Sequence, residues 1–113
     1  MISRAESQGV VRISPVSMFE ITSLHTAGRL RLSRTPELWI GESLEAPGVR
    51  IAELSSAIAI DAGSIPREAL ADPLDRLLVA TARQLDATLM TSDARILDYA
   101  TETGNVRVHN GST

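Results

Sequence analysis

The sequence predicts a single α/β domain over residues 1–113, a three-layer α/β/α unit around a parallel sheet. Short apolar segments with strand-like patterning alternate with segments of helical periodicity. The connections between them are short, which favours right-handed crossovers between parallel strands. The length is near the common domain size, and 43% hydrophobic residues are enough for one aliphatic core.

The clearest element is a helix predicted over about residues 73–86. Asp72 is a suitable N-cap and Pro73 a suitable first helical residue, because the N–H that proline lacks would be unpaired there. Asp75 then lies in the first turn, beside the buried face. Apolar and small residues recur along that face at steps of three and four: Leu74, Leu77, Leu78, Thr81, Ala82 and Leu85.

The first half of the chain predicts one strand and two helices. Residues 1–8 are polar and show no periodicity; they are interpreted as the tail of a helix or as disordered, and no strand is expected there. Residues 10–13 predict a strand, and Ser17 with Glu20 matches a capping box that opens a helix ending at Gly28. Thr35 and Pro36 open a second helix, which ends at Pro47-Gly48. Trp39 lies in that helix and is interpreted as a core anchor rather than a base-stacking platform.

The second half continues the alternation. Residues 49–54 predict a strand. Residues 55–62 suit either a strand or a helix, and the serine caps and alanines favour a helix. A strand over 88–91, a helix over 94–101 and a strand over 106–108 complete the pattern.

Three acidic residues are expected at one edge of the sheet. Functional groups in parallel sheets gather beyond the carboxyl ends of strands. Glu20 follows the strand 10–13, Asp93 follows the strand 88–91, and Asp75 heads a helix at the same edge. Spacing alone favours Glu20 as a capping group over Glu20 as a metal ligand. If the three acids converge, oxygen-only ligands select a hard cation such as Mg²⁺ or Mn²⁺.

Composition excludes several classes of protein. The chain has no cysteine, so disulfides are excluded and a reducing cytoplasm is the simplest setting. No apolar run is long enough to cross a membrane. A net charge of −3 argues against bulk attraction to nucleic acid. The local run Arg29, Arg31 and Arg34 is either a solvated surface or a weak RNA-binding site.

At these residues the sequence resembles the PIN-domain nucleases, especially the VapC-like toxins of bacterial toxin–antitoxin pairs. The segment 13–21, continuing to Gly28-Arg29-Leu30, is similar to the family's segment around its first helical glutamate. The segment 72–82 resembles its most characteristic motif, and the segment 89–93 resembles its last acidic strand end. The resemblance covers nearly the whole chain from Val10 onward.

The resemblance implies an Mg²⁺-dependent ribonuclease that acts on RNA and is bound by a cognate antitoxin. It assigns the catalytic and metal-binding roles to Glu20, Asp75 and Asp93. Thr91 and Ser92 would support them, for instance by orienting a water molecule. Asp72 remains a helix cap. Mn²⁺ would substitute for Mg²⁺.

The chain departs from the family pattern at its start. Family members open with an apolar strand that carries an aspartate, followed by a helix, whereas residues 1–9 contain neither. The sequence therefore predicts an N-terminally truncated PIN-like domain that lacks one of four acids, with impaired activity. A gap between the strands 10–13 and 88–91 would make these strands pair directly or borrow structure from a second copy, which favours a homodimer.

Two other functions stay open. A non-catalytic PIN-like module or remnant would bind a partner protein, such as an antitoxin or its own copy. An α/β phosphatase or receiver-like domain is disfavoured because the chain has no lysine, which such acidic pockets commonly include.

Overall fold

A computed structural model describes residues 3–7 and 9–111. In this part of the chain, five strands form one sheet in the order β3-β2-β1-β4-β5, flanked by five helices. The strands are β1 (Arg4–Ser7), β2 (Val10–Ile13), β3 (Val49–Ile51), β4 (Thr88–Thr91) and β5 (Val108–Asn110). The helices are α1 (Pro15–Thr26), α2 (Pro36–Glu45), α3 (Ser56–Ser64), α4 (Pro73–Gln84) and α5 (Ala94–Thr103). The predicted α/β class is confirmed.

The central strand is the main correction to the sequence prediction. Residues 4–7, where no strand was expected, form β1 and pair antiparallel with both β2 and β4. The sheet is therefore mixed, because only the outer pairs β2–β3 and β4–β5 are parallel. The predicted gap is filled, so β2 and β4 neither pair directly nor face each other with open edges. The argument that led to a homodimer is thereby removed.

The composition of β1 explains why it was missed. It has four residues, and only Ala5 is apolar and buried. Arg4 and Glu6 lie on the other face of the strand and form an ion pair at 2.9 Å between Nε and Oε1. A strand this short and polar gains its stability from two neighbouring strands rather than from its own pattern. Residues 1, 2 and 8 of this segment lie outside the described residues.

Helix α1 begins earlier than predicted. Ser14, not Ser17, is its N-cap, and the Ser14 hydroxyl accepts a hydrogen bond from the Val16 N–H at 3.1 Å. The predicted capping box is wrong because Ser14-Pro15 supplies the same cap-then-proline start three residues upstream. Glu20 consequently lies in the second turn, away from the helix end, and caps nothing.

The other helix starts match their predictions. The N-caps of α2, α3 and α4 are Thr35, Ser55 and Asp72. Residues 56–64 are helical, as the choice of a helix over a strand predicted. Two strand bounds are corrected: β3 ends at Ile51, and the last strand is 108–110 instead of 106–108.

The main core lies between the sheet and helices α4 and α5. Many of its buried members come from one face of α4, from β4 and from α5: Leu78, Val79, Ala82, Leu89, Ile96 and Tyr99. Helix α3 packs on α4, where Asp61 and Arg83 form an ion pair at 2.8 Å. The longest helices in the described residues have 12 residues, and none could span a membrane.

Candidate active site

Two aspartates lie at the start of α4. The Asp72 carboxylate caps the helix, with Oδ1 accepting a hydrogen bond from the Leu74 N–H at 2.9 Å. Asp75 lies one turn later and is only 2% exposed. Its Oδ2 atom is buried without a hydrogen-bond partner. Burying a polar atom without a hydrogen-bond partner costs free energy, so the packing of the rest of the fold must offset the burial of Asp75.

The end of β4 supplies the second group of polar residues. Thr91 is 1% exposed, and its hydroxyl oxygen accepts a hydrogen bond from the Asp93 N–H at 3.1 Å. Ser92 is exposed. The Asp93 carboxylate caps α5, with Oδ1 accepting from the Arg95 N–H at 2.9 Å. Thr91 thereby fixes the turn that presents Asp93 at the strand end.

Glu20 reaches the same region from α1, and a short hydrogen-bond chain holds α1 in place. The Ser17 hydroxyl donates to the Ser3 carbonyl oxygen at 2.9 Å. The Ser3 hydroxyl in turn donates to the Thr91 hydroxyl oxygen at 3.0 Å. The residue just before β1 therefore connects the helix that carries Glu20 to the strand that leads to Asp93.

The pKa values of Asp75 and Glu20 are raised by burial and by neighbouring carboxylates. The pKa of Asp75 is raised from 3.8 to about 7, first by burial and then by the negative charges of Asp93, Asp72 and Glu20. The positive charge of Arg95 opposes this rise. Burial, Asp72 and Asp93 also raise the pKa of Glu20. Like charges disfavour ionisation of their neighbours, so a cation placed among these acids would relieve the repulsion.

The donor set fits a hard divalent cation. The acids offer only oxygen ligands, the chemistry that Mg²⁺ and Mn²⁺ prefer, and Asp75 Oδ2 is an unused acceptor. Among residues 3–7 and 9–111, however, no three histidine, aspartate or glutamate side chains are already arranged to hold a metal. To bind a metal here, the acidic side chains would have to move closer to one another around the ion.

A cleft of about 520 Å³ opens beside the acids. Its polar lining includes Glu20, Ser92 and Asp93, and its apolar lining includes Trp39. Trp39 is half-buried and belongs to neither buried cluster of the described residues, which corrects its interpretation as a core anchor. The cleft gives a ligand access to Glu20 and Asp93 from solvent.

The predicted basic run lies on the loop between α1 and α2. Arg29, Arg31 and Arg34 are all exposed, and Arg34 forms an ion pair with Glu42 at 2.8 Å. The intervening Leu30 and Leu32 line the cleft. The arginine run therefore borders the apolar part of the cleft rather than the acids themselves.

Sequence reasoning missed two members of this site. Asp72 was interpreted as a cap alone, but it also contributes to the raised pKa of both Asp75 and Glu20. The signal was present, since residues three apart on a helix are neighbours. Ser3 lines the cleft and bonds to Thr91. No sequence pattern could have identified it, because its role depends on the unpredicted strand β1.

The comparisons with known proteins agree with this architecture. The family model described as PIN domain matches residues 2–102. The chain is 29% identical over 103 residues to a protein named Ribonuclease VapC22 from Mycobacterium tuberculosis (strain ATCC 25618 / H37Rv). That match covers 87% of this chain and 78% of the relative. The predicted PIN-like fold is confirmed, and the chain belongs to the PIN domain family.

Proposed function

We propose that this protein is an Mg²⁺-dependent ribonuclease of the VapC toxin type. The observation that carries the proposal is Asp75, whose buried Oδ2 atom has no hydrogen-bond partner and whose pKa is raised by burial and by the charges of Asp93, Asp72 and Glu20. The relative named as a ribonuclease supports RNA as the substrate. Glu20, Asp75 and Asp93 are the proposed catalytic and metal-binding acids, and Asp72 contributes negative charge.

Each residue has a distinct proposed task. Mg²⁺, held by Glu20, Asp75 and Asp93, would supply an acidified water molecule and neutralise charge on the phosphodiester. In the absence of the ion, Asp75 is protonated in part of the molecules near neutral pH, because its pKa is raised to about 7. Thr91 keeps Asp93 at the strand end, and Ser92 lies exposed beside it.

Cleavage is expected to be slow. The residue that precedes β1 and lies at this edge of the sheet, hydrogen-bonded to Thr91, is Ser3, which carries no charge. Loss of a group that supports a metal ligand typically costs about 10–100-fold in activity, and loss of a ligand should cost at least that. The observation that no described trio of acids is arranged for a metal favours a second candidate, a non-catalytic module that binds an antitoxin.

The two candidates differ in a cleavage assay. Single-stranded RNA is incubated with the protein in Mg²⁺ and, separately, in EDTA. The ribonuclease proposal expects slow cleavage that EDTA, Asp75→Asn and Glu20→Gln each abolish. Glu37→Gln, on the exposed surface of α2, is the matched control and should leave cleavage unchanged. Cleavage that survives the acid substitutions would refute the proposal, and no cleavage in Mg²⁺ or Mn²⁺ would favour the binding module.

The cellular setting is also part of the proposal. A VapC-type toxin would act in the cytoplasm and be held inactive by an antitoxin protein. A homodimer is still a prediction, although the gap between β2 and β4 that led to it is filled by β1. Light scattering at high micromolar protein concentration tests it.

A further inference from the structure

The lining of the cleft beside the acids is chemically of two kinds. Glu20 and Asp93 contribute negative charge. The apolar part of the lining comes from α1, α2 and the loop between them: Ile21, Leu24, Leu30, Leu32 and Trp39. In the absence of a cation, Glu20 and Asp93 repel a negatively charged group, and the apolar side chains offer it no partner inside the cleft. The apolar part therefore suits an uncharged, largely apolar group attached to a polar chain.

Trp39 is the aromatic side chain available in this cleft. Of the three aromatic residues in the sequence, Tyr99 is in the core at 4% exposure. Phe19 is 58% exposed and does not line the cleft. Trp39 is half-buried and lines it. A partly exposed indole in an apolar wall is a surface on which a flat ring can stack.

In the loop between α1 and α2, apolar side chains that line the cleft alternate with exposed arginines. Leu30 and Leu32 are half-buried and line the cleft. Arg29 and Arg31, which alternate with them, are exposed. Neither arginine forms an ion pair within the described residues. A ligand with a flat ring and a phosphate chain would place the ring in the cleft and its phosphates against these guanidinium groups.

We propose that the apolar part of the cleft is a nucleobase-binding subsite, with Trp39 as its stacking platform. The inference rests on the proposed function in taking single-stranded RNA as the ligand, and it adds a site for one base beside the scissile phosphate. Arg29 and Arg31 hold the adjoining backbone. A cleft of about 520 Å³ lies within the usual size range of small-ligand sites.

The single tryptophan of the chain gives a direct measurement. A short single-stranded RNA is titrated into the protein in EDTA, and the fluorescence of Trp39 is recorded. An abasic oligonucleotide of the same length, with the same phosphates and no bases, is titrated in parallel. Stacking predicts quenching by the RNA and none by the abasic chain. Equal quenching by the RNA and the abasic oligonucleotide would overturn the proposal. Quenching by neither of them would also overturn it and would leave an apolar protein segment as the occupant of the cleft.

Substitutions separate stacking from packing. Trp39→Ala should weaken RNA binding by about 5–150-fold, the range for losing one base–aromatic stack, in an anisotropy assay with labelled RNA. Trp39→Phe should restore most of this affinity. Binding of the abasic oligonucleotide should not change in either variant. Phe19→Ala is the matched control and should bind RNA as the parent does. Equal losses for RNA and abasic chains in Trp39→Ala would overturn the proposal.

The result is independent of catalysis. The titration is performed without metal, so an inactive protein can still show base-dependent quenching, and the ribonuclease proposal then fails alone. Cleavage that depends on Asp75 and Glu20, with no base-dependent quenching, refutes the subsite alone.

Discussion

Asp75→Asn tests the electrostatics of the acid cluster through stability. Asp75 is 2% exposed, its Oδ2 atom lacks a partner, and three neighbouring acids disfavour its ionisation. Asparagine has nearly the same shape and cannot ionise. We expect the variant to unfold at a higher temperature than the parent at pH 8 in EDTA, and at a similar temperature at pH 4.

The sign follows from proton binding. The pKa of Asp75 is about 7 in the folded protein and near its ordinary 3.8 in the unfolded chain. Between these values the folded state binds more protons, so the free energy of unfolding falls as pH rises from about 4 to 7. The stabilising contribution of the protonated acid is complete below the unfolded pKa and is lost above the folded one.

The magnitude follows from the pKa difference. At about 1.4 kcal/mol per pKa unit, a rise from 3.8 to about 7 corresponds to at most about 4 kcal/mol. Solvent and salt screen the part that comes from neighbouring charges, which leaves about 1–3 kcal/mol. In a domain of this size 1 kcal/mol moves Tm by about 4 °C. The variant should therefore gain about 4–12 °C at pH 8.

The assay is thermal unfolding followed by circular dichroism from pH 4 to pH 8, with and without added salt. Asp98→Asn, which removes an exposed carboxylate of α5 that does not contribute to the raised pKa, is the control. It should show no pH-dependent gain. A Tm difference between Asp75→Asn and the parent that stays constant across this pH range would refute the reasoning, because it would mean that Asp75 does not titrate there.

Three further predictions concern the same edge of the sheet. Ser3→Asp adds a carboxylate next to Thr91 and should raise Mg²⁺-dependent RNA cleavage at least about tenfold, whereas Ser3→Asn loses the same hydroxyl without adding charge and should not. Equal activity of the two variants would contradict the account of the missing acid. Mn²⁺ at ten times its Kd should stabilise the parent by roughly 1.4 kcal/mol, measured as a rise in Tm that Asp75→Asn lacks. An unchanged melting curve at millimolar Mn²⁺ would count against the metal site. Thr91→Val leaves the Asp93 N–H without its acceptor and should lower the free energy of unfolding in urea by about 1–3 kcal/mol. Thr91→Ser keeps the hydroxyl and should retain most of the stability. Equal losses of stability in the two variants would assign the effect to packing.

The elements that the sequence predicted best are those whose local and tertiary preferences agree. Asp72 and Pro73 start α4, and the apolar face of that helix is the one that packs in the core. The strand 88–91 was predicted with its observed bounds. In both elements the residues that favour the local conformation are also those that the core buries. Glu20 and Asp93 were likewise assigned to one edge from their positions after strands, and the charge of Asp93 contributes to the raised pKa of Glu20.

The errors occur where local rules offer two choices. Ser14 and Ser17 both match helix-start patterns, and the start is decided by Pro15, which takes the first helical position. Trp39 looks like a core residue by composition, but the main core is formed largely by residues of α4, β4 and α5, including Tyr99. The side chain is left to line the cleft. Periodicity identifies an apolar face without identifying what covers it.

The sequence by itself determined the alternation of strands and helices, the helix caps of α2 to α4, and the order of the acids along the chain. The alternation and the caps depend on neighbouring residues, and local conformational preference is enough to specify them. Only the tertiary structure decided that residues 4–7 complete the centre of the sheet, that Ser3 connects α1 to β4, and that Asp72 joins the acid cluster. Those features depend on hydrogen bonds and charges between residues far apart in sequence, such as Ser3 and Thr91. These interactions can form only after the sheet has brought the residues together.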